Sequence, residues 1–278
     1  MTNSTEVGST VTIVKEGDGI AWVYLNRPEK LNAMSPKLHR DMSAAFDTLE
    51  VDDEVDVVVI GGAGGNFSAG QDLKEFFRDL ENDPQELYLM EQRYCKWRWD
   101  RLLTFPKLTI AMVEGWCVGG AFTHLIACDF AIASEDAKFS LSEVNWGIIP
   151  GGMVTKAVVD SMGYREGLYY VLTGESFSAS RAQEVGLVNF TTLPSDLHKR
   201  VQEFAEMLMK KNQNVARATK QVYRMIRRGM DNDQALDYLG AKFVQLKATD
   251  PTKGYSTGLA AFVDKKAYRP VDEPYPAG

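Results

Sequence analysis

The sequence predicts an α/β fold: ββα turns stacked in a spiral, followed by a helical C-terminal region. Three observations carry that expectation. A β-rich run, a glycine-rich loop and a helical pattern follow one another from Val55, and again from Leu108. Short strand-like runs bounded by turn residues fill much of the remaining first two-thirds. From Asp196 the chain turns almost wholly to amphipathic helical spacing. The expected division is 1–195, a spiral core, and 196–278, a helical region.

The elements follow in order. "VTIVKEGDGIAWVYLNRP" reads as a β-hairpin, because two β-rich runs flank Gly17-Asp18-Gly19. Asn26-Arg27-Pro28 ends its second strand. Ser35 before Pro36 is an N-cap with proline at the first helical position. Leu38, Met42, Ala45, Phe46 and Leu49 then give one apolar helix face. Val55–Ile60 is a short apolar strand leading into "GGAGGNFSAGQD". Helical character resumes at Asp72, and Tyr94, Trp97 and Leu102 predict one long helix running to Phe105. "LTIAMVEG" is a strand, "GWCVGGA" a glycine-rich turn, and Phe122–Cys128 a helix. "DFAIAS" and "AKFSLSE" are strands, and "SASRAQEVGLVN" is a helix with Gly186 near its C-cap, then a strand. "LHKRVQEFAEMLMKK", "ARATKQVYRMIRR" and "DQALDYLGAKFVQLKA" are helices, and the proline-rich tail after Tyr268 is extended.

Composition narrows the function classes. The 278 residues are 45% hydrophobic and 25% charged, ordinary for a soluble globular protein. A net charge of −7 argues against a nucleic-acid binder, which carries a basic face. The three cysteines, Cys95, Cys117 and Cys128, have no CxxC spacing, and the three histidines, His39, His124 and His198, are far apart. Neither a disulfide framework nor a metal centre is expected, and a reducing, cytoplasmic setting is. "MTNSTEVGST" has no basic start and no apolar core, so no signal peptide is expected. In the most membrane-like segment, Leu108–Ala133, the longest run without a charge or histidine is nine residues, Gly115–Thr123. A spanning helix needs about 20.

Two kinds of site stand out. The loops "SAGQD" (Ser68–Asp72) and "GWCVGGA" (Gly115–Ala121) both follow an apolar strand and precede a helix. Each is either a tight turn or a place where backbone N–H groups approach a ligand, and two such groups facing one point make an oxyanion hole. Glu143 in "FSLSEVNWGIIPGG" is a carboxylate with no cation in its run. It is either a solvated strand-end glutamate or an acid/base whose pKa the apolar surroundings raise. His124 reads as a satisfied core or helix residue, and "WRW" (Trp97–Trp99) as helix packing. No G-x-S-x-G elbow appears, which disfavours a Ser-His-Asp hydrolase.

Together, "LNRPEKLNAMS", "FSAGQDLKEF", "TIAMVEGWCVGGAF", "ACDFAIASEDAKFSLSEVNWGIIPGG", "LTGESFSASRAQEVGLVN" and "GLAAFVDKKAYRP" resemble, in order, the crotonase (enoyl-CoA hydratase/isomerase) superfamily over residues 11–269. The resemblance implies a ββα spiral with a helical C-terminal trimerisation region, assembled as a homotrimer or a dimer of trimers. It implies an acyl-CoA substrate and no separate cofactor, metal, nucleic acid or membrane. The backbone N–H groups of Gln71 and Gly120 match the family's oxyanion hole. Lys30, Ala69, Gln71 and Leu73 match CoA-lining positions, and Phe262 and Lys265 match C-terminal positions that reach CoA. Glu143 matches the second catalytic glutamate of typical hydratases. Thr123 stands where the first would be, which argues against two-glutamate hydration.

"EVNWGIIPGG" with Trp146, following Ser142, and "REGLYYVLTG" resemble a narrower branch, the hydroxycinnamoyl-CoA hydratase-lyases. These hydrate feruloyl-CoA or coumaroyl-CoA and cleave the product to an aromatic aldehyde, such as vanillin, and acetyl-CoA. Phe76 and Gly240 stand where better-known members carry tyrosines that hold the phenol oxygen, and Tyr238 is the nearby substitute. The alternative is a hydratase or isomerase of another enoyl-CoA without C–C cleavage.

Overall fold

The computed structural model describes residues 3–15 and 19–263. They fall into two compact units, Met1–Val201 and Gln202–Gly278.

Among the described residues the first unit holds ten strands: β1 (Asn3–Val7), β2 (Val11–Lys15), β3 (Gly19–Leu25), β4 (Val55–Gly62), β5 (Leu108–Val113), β6 (Trp116–Val118), β7 (Phe130–Ser134), β8 (Lys138–Ser140), β9 (Ser176–Ser178) and β10 (Phe190–Thr192). Seven form one sheet in the order β1-β2-β3-β4-β5-β7-β10, and β6-β8-β9 form a second. The expected hairpin is β2 and β3, paired antiparallel; its turn, 16–18, lies outside the described residues. From β3 to β10 every neighbouring pair in the large sheet is parallel. All six residues of β5 are buried, the signature of a parallel strand covered on both faces.

The helix Pro36–Glu50 forms as its sequence predicts. Ser35 Oγ accepts the Leu38 N–H at 3.2 Å, Pro36 opens the first turn, and the five predicted apolar residues are all fully buried. The loop before it is a clamp. Asn32, at positive φ, accepts the Arg27 N–H at 2.9 Å and donates to the carbonyls of Ala63 (2.9 Å) and Asn66 (2.6 Å). It thereby ties the end of β3 to the glycine loop after β4. Asn32→Ala leaves these groups unpaired in a buried place and puts a Cβ-only side chain in the left-handed region. The expected loss is about 3 kcal/mol, read from the urea midpoint at constant m-value; an unchanged midpoint would show that the clamp is dispensable.

The long helix expected up to Phe105 is not there. The chain instead runs through short pieces: a wide turn Leu73–Arg78, helix Pro84–Leu89, a wide turn Met90–Tyr94, a 3-10 turn Cys95–Arg98 and helix Asp100–Thr104. The cause lies in "WRW". Successive α-helical side chains point about 100° apart, so three in a row cannot all face a core. Here Trp97, Arg98 and Trp99 are all buried, at 1%, 8% and 7% exposure, and the backbone breaks at Trp99 (φ −137°, ψ −76°) to allow it. The other corrections are smaller. The expected turn "GWCVGGA" contains strand β6, which pairs parallel with β8. The helix after it is Ala121–Ala127.

The second unit is helical. Gln213–Arg227 and Asn232–Thr249 match two predicted segments, and Gly254–Val263 is a further helix that the spacing did not single out. The third predicted segment is the helix Leu197–Met209, which begins in the last residues of the first unit. A cavity of about 750 Å³ in the second unit is lined by Val215, Thr219, Val222, Phe243 and Leu246, and no predicted site residue lines it. The tail after Tyr268 lies outside the described residues.

Candidate active site

The site is built where the two glycine loops run side by side. Ser68–Asp72 is threaded between Leu31–Met34 and β6: Ala69 N–H donates to Leu31 O at 2.8 Å, Met34 N–H to Gly70 O at 2.7 Å, and Val118 N–H to Ser68 O at 3.0 Å. These bonds use the backbone on either side of Gln71 but leave its N–H without an acceptor among the described residues. The same is true of Gly120 N–H, one residue before helix Ala121–Ala127. The two amides are close. A Cβ on Gly120 would lie 3.2 Å from Gln71 N, and one on Gly70 would lie 3.1 Å from Gly120 N and 2.5 Å from Val118 O. Gly70 also has φ +86°, so only glycine suits this approach.

Glu143 reaches the same place from the small sheet. β8 pairs with β6, and Gly119 N–H donates to Ser140 O at 2.9 Å, which sets Leu141–Glu143 beside the second glycine loop. A Cβ on Gly119 would meet Glu143 Oε1 at 2.8 Å. Glu143 Oε2 is buried with no hydrogen-bond partner. Burial therefore pushes the carboxyl above the usual carboxylate range, only partly offset by its own backbone N–H. The solvated strand-end reading does not hold for this side chain.

That shift has a stability consequence. The folded protein holds the Glu143 proton more tightly than the unfolded chain does. Stability is thus greatest below the ordinary carboxylate pKa and declines as pH rises through the higher folded-state value. Glu143→Gln removes that decline. Its melting temperature should exceed the wild type's at pH 7, with the gap narrowing as pH falls through the carboxylate range. A gap that stays constant with pH would contradict the buried charge.

Around the amides lies a polar cluster that the sequence did not reveal. Gln71 Nε2 donates to Met34 O at 3.1 Å, and Gln71 Oε1 accepts from Arg98 Nη1 at 2.9 Å. His39 Nδ1 accepts from Trp97 Nε1 at 3.0 Å, so its proton is on Nε2, which donates to Gln71 Oε1 at 3.2 Å. Burial, then the Arg98 charge, holds His39 well below its usual pKa. His124 is core, as predicted, stacked on Phe67 at 4.8 Å, but it is not satisfied: neither ring nitrogen has a hydrogen-bond partner. Burial, then Arg98, pushes it down to about 3. Both rings are neutral. The only hint of Arg98 in the sequence was a cation between two tryptophans, a pattern that no regular helix can bury.

The remaining predicted residues divide. Lys30 is exposed, Ala69 half-buried and Leu73 exposed, on the segments flanking the first loop. Arg27 anchors that region, pairing with Asp72 at 3.0 Å and Glu75 at 2.6 Å. Burial works against the Asp72 charge, but the Glu75 N–H and the Arg27 guanidinium outweigh it and hold the carboxyl below its usual range. Thr123 is fully buried and turns its Oγ1 onto Gly120 O at 2.6 Å. Ser142 is half-buried and Trp146 is 68% exposed. Phe76 is buried with Met90 and Cys95, its ring edge-on to His39 at 5.7 Å. In the second unit Tyr238 is half-buried, and Gly240 and Phe262 are exposed; Lys265 lies outside the described residues.

Residues 15–270 match the model of the enoyl-CoA hydratase/isomerase family. The chain belongs to that family. This family member is 44% identical over 274 residues to a hydroxycinnamoyl-CoA hydratase-lyase of Pseudomonas fluorescens, covering 98% of this chain and 99% of that one. It is 30% identical over 261 residues to a short-chain-enoyl-CoA hydratase of Clostridium acetobutylicum, covering 93% and 96%. The crystal structure of an enoyl-CoA hydratase from Shewanella pealeana ATCC 700345 superposes with a TM-score of 0.82 at 27% identity, covering 94% and 95%. The enoyl-CoA hydratase/isomerase-family chain is therefore an enzyme with the crotonase fold, and a lyase. Among the described residues no helix is long and apolar enough to cross a membrane.

Proposed function

We propose that the enzyme hydrates a 4-hydroxycinnamoyl-type CoA thioester and then cleaves the product to an aromatic aldehyde and acetyl-CoA. The observation that carries this is the half-buried Glu143 carboxyl, whose Oε2 is buried without a hydrogen-bond partner, against the glycine loop that carries one of two neighbouring backbone amides with free N–H groups. The 44% identity to a hydroxycinnamoyl-CoA hydratase-lyase supports the choice of reaction.

In the first step Glu143 takes a proton from water as the oxygen adds to the β-carbon. Negative charge moves to the thioester oxygen, where the Gln71 and Gly120 N–H groups receive it; one such donor is worth about 3 kcal/mol. Glu143 returns the proton to the α-carbon, which completes the hydration. In the second step Glu143 accepts the β-hydroxyl proton, the Cα–Cβ bond breaks, and the aldehyde leaves. The electron pair goes to the acetyl-CoA enolate, which uses the same two amides and is then protonated at carbon. Neither step is a net oxidation, and CoA enters as part of the substrate. Thr123, with its hydroxyl bonded to Gly120 O, supplies no second carboxylate, so one glutamate serves both steps.

The expected assembly is a homotrimer or a dimer of trimers. Trp146, Ile149, Val159, Tyr164 and Leu172 leave 62–84% of their surface exposed, and exposed large apolar side chains of this kind are what a subunit contact would cover. The deciding assay incubates the enzyme with feruloyl-CoA and with crotonyl-CoA and identifies products by mass spectrometry. Vanillin plus acetyl-CoA from the first supports the proposal. Hydration of crotonyl-CoA with no aldehyde from feruloyl-CoA would replace it with simple enoyl-CoA hydration.

A further inference from the structure

We propose that Arg98 is a cationic positioning residue of this site: its guanidinium stabilises the enolate formed on the thioester oxygen and holds Gln71 in place to receive it. The inference rests on the reading that the Gln71 and Gly120 amides are the oxyanion site.

Arg98 is a buried cation without a counter-ion. No carboxylate pairs with it among the described residues, and its one hydrogen bond is to Gln71 Oε1. Removing a charge from water without a partner costs several kcal/mol, so such groups are normally paired or used. The groups around it do not neutralise it. His39 and His124 are held neutral, and burial pushes the Cys95 thiol up to about 11, so it too is uncharged. Glu91 acts on Arg98 only through space.

The charge lies at the proposed chemistry. A Cβ on Gly120 would be 3.6 Å from Arg98 Nη1 and 3.2 Å from Gln71 N, so the guanidinium borders the pair of amides. The other end of the group, Nη2, lies against Gly152, where a Cβ would come within 2.6 Å. Gly152 clears the space that the guanidinium needs. Nε and Nη2 have no acceptor among the described residues.

A fixed charge here discriminates between ground and transition states. The substrate thioester is neutral and gains little from a nearby cation. The enolate carries a full negative charge and gains much more, so the effect belongs in kcat rather than in binding. At a separation of about 6 Å and an effective dielectric of about 20, one charge pair is worth roughly 100-fold in an equilibrium. The hydrogen bond to Gln71 adds orientation: Arg98, His39 and Met34 together hold this side chain on three sides.

The test uses acetoacetyl-CoA, which loses its acidic α-proton to give an enolate with its own ultraviolet absorption. The wild-type enzyme should bind it and lower its pKa below that of the free thioester. In Arg98→Gln and Arg98→Met the bound ligand's pKa should rise by about 2 units. Turnover should fall by roughly 100-fold with KM little changed. Arg98→Lys, which keeps the charge, should recover most of both. A neutral glutamine that works while lysine fails would mean a hydrogen-bonding role only and would overturn the proposal. So would a bound enolate pKa equal to that of free acetoacetyl-CoA in the wild type, a measurement that needs no variant to fold. The enolate readout requires no C–C cleavage. An enzyme that shifts this pKa but releases no aldehyde would refute the hydratase-lyase reading and leave the role of Arg98 standing.

Discussion

Glu143→Ala is expected to lower aldehyde release by about 1,000-fold or more, while CoA esters still bind. The effect is large because the proposed mechanism asks one carboxyl to move every proton in both steps. Thr123 has its hydroxyl committed to Gly120 O and carries no carboxylate to take over. Binding survives because the amides of Gln71 and Gly120, and the loops that carry them, do not depend on the Glu143 side chain. Glu143 leans on Gly119, and its Oε2 makes no hydrogen bond whose loss would unsettle the fold. Turnover of feruloyl-CoA with ligand affinity measured in parallel decides it. Aldehyde release near the wild-type rate would remove Glu143 from the mechanism.

The second large effect is expected from Gly70→Ala. The added methyl would lie 2.5 Å from Val118 O and 3.1 Å from Gly120 N, against backbone that cannot swing aside. The loops must part, which spoils the convergence of the two amides. Losing one oxyanion donor typically costs about 100- to 1,000-fold in kcat. Gly186→Ala is the control: its φ of +77° gives a similar backbone penalty, but its Cβ meets nothing within 4 Å. Gly186→Ala should lose about 1 kcal/mol of stability and keep its rate, whereas Gly70→Ala should lose both. Equal kcat in the two variants would mean that the amides need not converge.

Much of the fold was legible in local patterns. The apolar spacing of Leu38, Met42, Ala45, Phe46 and Leu49 predicts a buried helix face, and all five are fully buried. Ser35-Pro36 predicts the cap that forms. The strands from Val55 and Leu108 read clearly because parallel strands buried on both faces are continuous apolar runs. The stretch from Asp72 to Phe105 was misread for an equally physical reason. Its apolar residues fit helical spacing, but burying Trp97, Arg98 and Trp99 together required a broken backbone. Spacing reports the commonest solution, and here tertiary packing chose another.

The sequence by itself determined the family and the glycine loops and singled out Glu143 as the acid/base candidate, because these depend on residue types at fixed intervals along the chain. Only the tertiary structure decided that the Gln71 and Gly120 amides lie close together, that Glu143 Oε2 is buried without a hydrogen-bond partner, and that Arg98 stands beside the amides without a counter-ion. Charge, burial and hydrogen bonding act through space, over a few ångströms. Residues 71, 98, 120 and 143 come that close only after β6 has been threaded between Ser68–Asp72 and β8.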